Sequence, residues 1–167
     1  MTAPLFRLAL ASPEATTRFA AAVATLLRPG DAIMLDGPIG SGKTHFARSL
    51  IQARLEADGA PPEDVPSPTF TLVQTYDTGR IEIWHADLYR LTHPDEVEEL
   101  GLIQAFEEAV CLVEWPDRLG GLVPDDALLL EFESGEADDS RRVTITGDQA
   151  WRTRLDPVLA ETGPAQC

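Results

Sequence analysis

The chain has 167 residues, 44% hydrophobic and 25% charged, the balance of a globular chain that forms one domain over 1–167. Thirteen Lys and Arg stand against 28 Asp and Glu, a formal charge of −15, which argues against direct high-affinity binding of nucleic acid or membrane through the overall field. No apolar run approaches the ~18 residues of a membrane span, the N-terminal stretch lacks a secretory pattern, and the two cysteines, Cys111 and Cys167, imply no disulfide framework, so a cytoplasmic location is expected.

In chain order, Pro4–Leu10 predicts a first strand. Ser12-Pro13 has the form of an N-cap followed by proline at the first helical position. The Ala-rich stretch Glu14–Leu27 predicts a helix stopped by Arg28-Pro29-Gly30. Ala32–Asp36 is a short apolar strand, Gly37–Gly42 a loop, and Lys43–Ala57 has helical spacing. Two runs rich in Thr, aromatic and β-branched residues, Thr69–Tyr76 and Arg80–Ala86, predict a hairpin around Asp77-Thr78-Gly79. His93-Pro94 opens an acidic helix ending near Gly101, and Ala109–Val113 reads as a buried parallel strand. Strands at Ala127–Phe132 and Arg142–Thr146, a helix from Gln149 to about Leu159 and a flexible tail over about 160–167 complete the chain. This alternation predicts an α/β fold: a mixed sheet with parallel core strands, antiparallel additions and helices on both faces.

The charge is uneven. His93 to Asp139 holds fifteen Asp or Glu and one Arg, Arg118. Such a stretch is either a solvated surface or a docking face for a basic protein. Twelve of the thirteen cationic side chains are Arg, and the single lysine is Lys43. It lies in Gly37-Pro38-Ile39-Gly40-Ser41-Gly42-Lys43-Thr44, a full match to G-x-x-x-x-G-K-[ST] between a predicted strand and a predicted helix. Gly37, Gly40 and Gly42 allow the backbone to turn close to an oxygen-rich ligand. Successive N–H groups, Ser41 included, form an anion nest, and the helix start adds a partial positive charge. Lys43 would reach the β- and γ-phosphates and Thr44 would ligate Mg²⁺.

Two acids sit where strands should end: Asp87 after the β-like run Ile81–Ala86, and Glu114 after the apolar run Ala109–Val113. The carboxyl ends of parallel strands are where open α/β sheets bind ligands, so both are candidates for the Mg²⁺ and water site. Ser67-Pro68-Thr69-Phe70 is a candidate switch segment. His85, Asp87 and His93 lack the further His or Cys of a tetrahedral zinc set, and His85 reads as a packed or hydrogen-bonded strand residue. Cys111 reads as a small hydrophobe, and His45 receives no role. Trp115 is either an aromatic anchor before Pro116 or a residue packed beside the nucleotide or a partner.

Together these motifs resemble the TsaE (YjeE) family, a bacterial P-loop ATPase family of tRNA threonylcarbamoyladenosine synthesis. The resemblance is carried by the P-loop with Lys43-Thr44, by Ser67-Pro68-Thr69-Phe70-Thr71-Leu72-Val73, and by His85-Ala86-Asp87-Leu88-Tyr89-Arg90-Leu91. It continues through Glu99-Leu100-Gly101 and Leu112-Val113-Glu114-Trp115-Pro116. Pro38 and His45 depart from the usual family loop, which carries Asp and Thr there, without removing a phosphate or Mg²⁺ group. The resemblance implies a P-loop sandwich that binds ATP and Mg²⁺ and hydrolyses ATP. Lys43 and Thr44 would be its phosphate and Mg²⁺ residues, Asp87 its Walker B-like acid and Glu114 a second Mg²⁺- or water-linked acid. Thr69 would belong to the switch and Trp115 to the nucleotide site. It also implies partnership with the TsaB–TsaD complex, which modifies adenosine 37 of tRNAs reading codons that begin with A. Contact with tRNA would be indirect, which the −15 charge supports. From the residues alone, a small-molecule kinase and a nucleotide-gated module without hydrolysis are the competing readings. Against a kinase, Arg118 is the one arginine between Gly101 and Arg141, where a lid would carry several.

Overall fold

The computed structural model describes residues 3–162 and 165–166. The tail expected from about 160 lies partly outside these residues. Within them, a first strand β1 (Phe6–Leu10) leads to α1 (Pro13–Ala24), β2 (Ala32–Asp36) and α2 (Lys43–Ala57). The hairpin strands β3 (Val73–Asp77) and β4 (Glu82–Asp87) precede two short helices, α3 (Glu96–Glu99) and α4 (Leu102–Glu108). Next come β5 (Val110–Glu114), a 3₁₀ segment (Pro116–Leu122), β6 (Leu128–Ser134), β7 (Arg141–Thr146), α5 (Gln149–Thr162) and β8 (Ala165–Gln166).

The strands form one sheet in the order β3-β4-β5-β2-β6-β7-β1-β8. β4, β5, β2 and β6 are mutually parallel. β3 pairs antiparallel with β4, and β7, β1 and β8 extend the other side antiparallel. The expected fold class is therefore the observed one. Alternation along the central strands serves two cores. Ile33 and Leu35 of β2, with Val110 and Leu112 of β5, face Phe19, Phe46, Leu50 and Trp151 of α1, α2 and α5. Ala32, Met34, Cys111 and Val113 face Val97, Phe106 and Leu119 on the opposite side. Burial raises the Cys111 thiol to about 12, so it is an inert packing group.

Local chemistry explains most boundaries. Ser12 caps α1 by accepting from Ala15 N at 3.1 Å, with Pro13 at the first helical position. That helix closes at Ala24 rather than Leu27, because the Thr25 hydroxyl donates to Ala22 O at 2.7 Å and the last turn tightens. The strand expected from Thr69 starts only at Val73. Residues 69–72 form a turn instead: Leu72 has φ 68° and its N–H donates to Pro68 O at 2.7 Å. The acidic helix shrinks to the four residues of α3, and Gly101 at φ 81° separates it from α4. That second helix buries Leu102, Ala105 and Phe106 at i, i+3 and i+4, a spacing not assigned from the sequence.

Candidate functional site

The parallel strands deliver their carboxyl ends to one edge, and the Gly-rich loop follows β2 there. Pro38 to Ser41 is a tight turn, with Ser41 N donating to Pro38 O at 3.1 Å and Gly40 at φ 79° in the third position, which a β-carbon would disfavour. Gly37 has φ 143°, and a Cβ added there would lie 2.6 Å from Phe132 O and 2.7 Å from Ser41 Oγ. Ser41 Oγ is buried and without a hydrogen-bond partner among the described residues. A buried hydroxyl without a partner, on a residue that lines a cavity, is suited to an incoming oxygen-rich ligand.

Lys43 opens α2 and is buried to 5% exposure. Its Nζ donates to the carbonyls of Gly37 and Pro38 and lies 3.9 Å from the centre of the Trp115 ring. Burial lowers its pKa from the ordinary lysine value, while Glu114, Asp36 and Asp87 pull it the other way. Thr44 Oγ1 donates to Glu114 Oε1 at 2.7 Å.

The sheet register places the two acids. Asp87, the last residue of β4, is the Cα partner of Glu114, the last residue of β5. Glu114 Oε2 meets His85 Nε2 at 2.7 Å, and His85 is fully buried. Asp87 Oδ2 accepts from Thr69 Oγ1 at 3.1 Å, and Oδ1 accepts from Tyr89 N at 3.0 Å. Thr69 Oγ1 is also 2.8 Å from Ser67 Oγ, so the turn that replaced the expected strand carries the Thr69 hydroxyl to the acid, with Ser67 behind it. Trp115 leaves β5 at φ 59°, a left-handed conformation that turns its ring towards Lys43; Tyr89 packs on it with ring centres 4.9 Å apart.

These groups line a cavity of about 500 Å³. Gly40, Ser41, Gly42, Lys43, Thr44, Thr69, Asp87, Glu114 and Trp115 all reach it, and Gly37 lies behind the loop against Phe132. His85 opens the run 85–91 and is the packed, hydrogen-bonded strand histidine expected, with its Glu114 partner set by register. One further neighbour has no motif to reveal it. Arg141 enters from β7, with Nη2 donating to Gly40 O at 3.2 Å.

The donors at one end are hard oxygens: Thr44 Oγ1, Asp87 and Glu114. That set fits Mg²⁺, which takes one or two carboxylates and fills its sphere with water and substrate phosphates. Among the described residues, no group of three or more His, Cys, Asp or Glu could hold a metal on its own. No helix among the described residues is long and apolar enough to cross a membrane.

Comparison with known proteins places the chain in a family. The family model "Threonylcarbamoyl adenosine biosynthesis protein TsaE" matches residues 10–143. The tRNA threonylcarbamoyladenosine biosynthesis protein TsaE of Rickettsia bellii is 39% identical over 139 residues, 83% of this chain and 93% of that protein. The Bacillus subtilis protein of that name is 36% identical over 137 residues, 81% of each chain. The crystal structure of Bacillus subtilis YdiB superposes with a TM-score of 0.73 at 24% identity, covering 96% of this chain and 97% of that one, a likeness of fold. With the family match spanning most of the sequence, the chain belongs to the TsaE family of tRNA threonylcarbamoyladenosine biosynthesis.

Proposed function

We propose that this chain binds ATP with Mg²⁺ and hydrolyses it, as the ATPase of threonylcarbamoyladenosine formation at adenosine 37 of tRNA. The observation that carries this reading is the convergence of Lys43, Thr44, Asp87 and Glu114 on one cavity beside the Gly-rich loop. Lys43 gives up its loop carbonyls and donates to the phosphates, and the loop N–H groups orient the phosphate chain. Thr44 Oγ1 with Asp87 and Glu114 would hold Mg²⁺, which supplies neutralisation of the phosphate charge. Thr69, tied to Asp87 at 3.1 Å, reports occupancy of the site to the exposed turn around it. Positioning and preset electrostatics supply the rate enhancement, with water as the phosphoryl acceptor.

The field of the protein fits a division of labour. A chain of net charge −15 has little affinity for a phosphate backbone of its own. Its effect on tRNA therefore passes through the TsaB–TsaD complex, and its acidic stretch is a surface that a basic partner face would steer to. The test is ATP turnover by the purified chain, alone and with TsaB, TsaD and a cognate tRNA. Slow hydrolysis alone and faster hydrolysis in the complex is the expected result. Binding without cleavage under all conditions would favour the nucleotide-gated module.

A further inference from the structure

The loop is gripped from a second side. Arg141, the first residue of β7, reaches over the loop, and its guanidinium donates to Gly40 O at 3.2 Å, Asp138 O at 3.1 Å and Ser140 O at 2.8 Å. Its stem covers Gly42, where an added Cβ would lie 3.7 Å from Arg141 Cγ. All its partners are neutral carbonyls, and no carboxylate among the described residues lies within ion-pair distance of it. The neighbouring Arg142 is paired with Glu133 at 3.4 Å. Lys43, in contrast, lies in the field of Glu114, Asp36 and Asp87. In a strongly acidic chain, an arginine without a counter-ion at the mouth of a phosphate cavity is a free charge pointed at an anion site.

Resting on the nucleotide reading above, we propose that Arg141 is a second cationic ligand of the nucleotide, holding the part of the phosphate chain remote from the bond that breaks. The sheet order sets the side. β5 and β4, with Glu114 and Asp87 at their ends, flank β2 on one side, and β6 then β7 lie on the other. The cleaved bond belongs with Thr44 and the acids, so Arg141 faces the rest of the molecule across the loop. An interaction made there is equal in ground and transition states, so its loss raises KM more than it lowers kcat.

The test compares Arg141→Ala, Arg141→Gln and Arg141→Lys with the parent, by calorimetric titration of ATP and ADP with Mg²⁺ and by steady-state ATP hydrolysis. Urea unfolding checks that each variant folds. Arg141→Gln keeps an N–H donor for the Gly40 carbonyl but no charge, so it separates a structural tether from a phosphate ligand. The expected result is that Ala and Gln each weaken ATP and ADP about tenfold or more, in step, as for loss of a hydrogen bond to a charged group. KM rises by a similar factor, Lys recovers part of the loss, and the deficit shrinks at high salt. Parent-like binding by Arg141→Gln, parent-like binding by Arg141→Ala, or a loss confined to kcat would each overturn the proposal. Lys43→Ala and the parent are the controls. A parent that takes up no nucleotide sinks the underlying reading and this one with it, whereas a parent that binds beside unaffected Arg141 variants sinks this one alone.

Discussion

Thr44 and Glu114, 70 residues apart in sequence, are joined side chain to side chain by a hydrogen bond of 2.7 Å. With His85 on its other oxygen at 2.7 Å, the Glu114 carboxylate is held at both ends although only 2% exposed. The first turn of α2 is thereby locked to the end of β5, and with it the Gly-rich loop that leads into the helix. A buried carboxylate held this way keeps one orientation and needs little reorganisation when ligand arrives.

Replacing Glu114 by Gln keeps the shape and removes the charge. Single-turnover cleavage of ATP is expected to fall on the order of 10²-fold, as for loss of one preset electrostatic group, while calorimetric ATP binding changes much less. Asp87→Asn should act likewise. Parent-rate cleavage by both variants would remove the acids from the reaction.

Lys43→Ala should abolish measurable ATP turnover and strongly weaken binding, with the far-UV circular dichroism spectrum unchanged. Lys43 itself lines the cavity, so water can enter where its ammonium stood and replace it at the carbonyls of Gly37 and Pro38. Turnover at the parent rate would contradict the phosphate assignment.

At Gly37 an alanine is wrong twice. Its φ of 143° is rare for L side chains, and the new Cβ would lie 2.6 Å from Phe132 O on the adjoining strand β6. A destabilisation of roughly 1–3 kcal/mol is expected from overpacking, read as a lowered urea midpoint, together with weakened nucleotide binding. Gly59, with nothing within 4 Å of an added Cβ, is the control; its φ of 74° leaves only the backbone strain.

Arg154 of α5 clasps Asp31 through both oxygens, at 3.0 and 2.6 Å, donates to Leu26 O at 2.7 Å and stacks over Trp151. Arg154→Ala leaves a largely buried carboxylate unpaired, and a loss of about 3 kcal/mol is expected in equilibrium unfolding. A change below about 0.5 kcal/mol would show that water compensates Asp31 fully.

Asp58 gives a pH signature. Burial opposes its ionisation, but hydrogen bonds from Thr78 at 2.6 Å and Arg54 at 2.8 Å outweigh this and hold its carboxyl below the ordinary value of 3.8. A folded-state pKa below the unfolded one contributes stability above the unfolded value, and that stability is lost as pH falls through the folded value. Asp58→Asn should therefore be less stable than the parent at pH 7, with the gap closing as pH drops below about 4. A gap unchanged from pH 7 to pH 3, measured by urea unfolding, would refute this.

The Gly-rich loop, its flanking elements and the α/β class were legible because each rests on local chemistry. Three glycines, one lysine and two hydroxyls stand between an apolar run and a helical one. The α2 bounds, Lys43–Ala57, agree with the spacing to the residue. Asp87 and Glu114 were legible as acids after strand-like runs, since open α/β sheets gather their functional groups at the carboxyl ends of parallel strands. The turn at 69–72 was hidden because its Thr and Phe residues have strand propensity, and only contact with Asp87 rewards the left-handed Leu72.

Sequence alone determined which groups are present and which lie within one element of each other, because propensity, capping and loop chemistry act over a few residues. The pairings between distant residues were decided only in three dimensions: Asp87 beside Glu114, Glu114 on Thr44 and His85, Lys43 on Trp115, and Arg141 on Gly40. They follow from strand order and register, which the packing of the whole sheet between two layers of helices sets, and no local pattern encodes that choice.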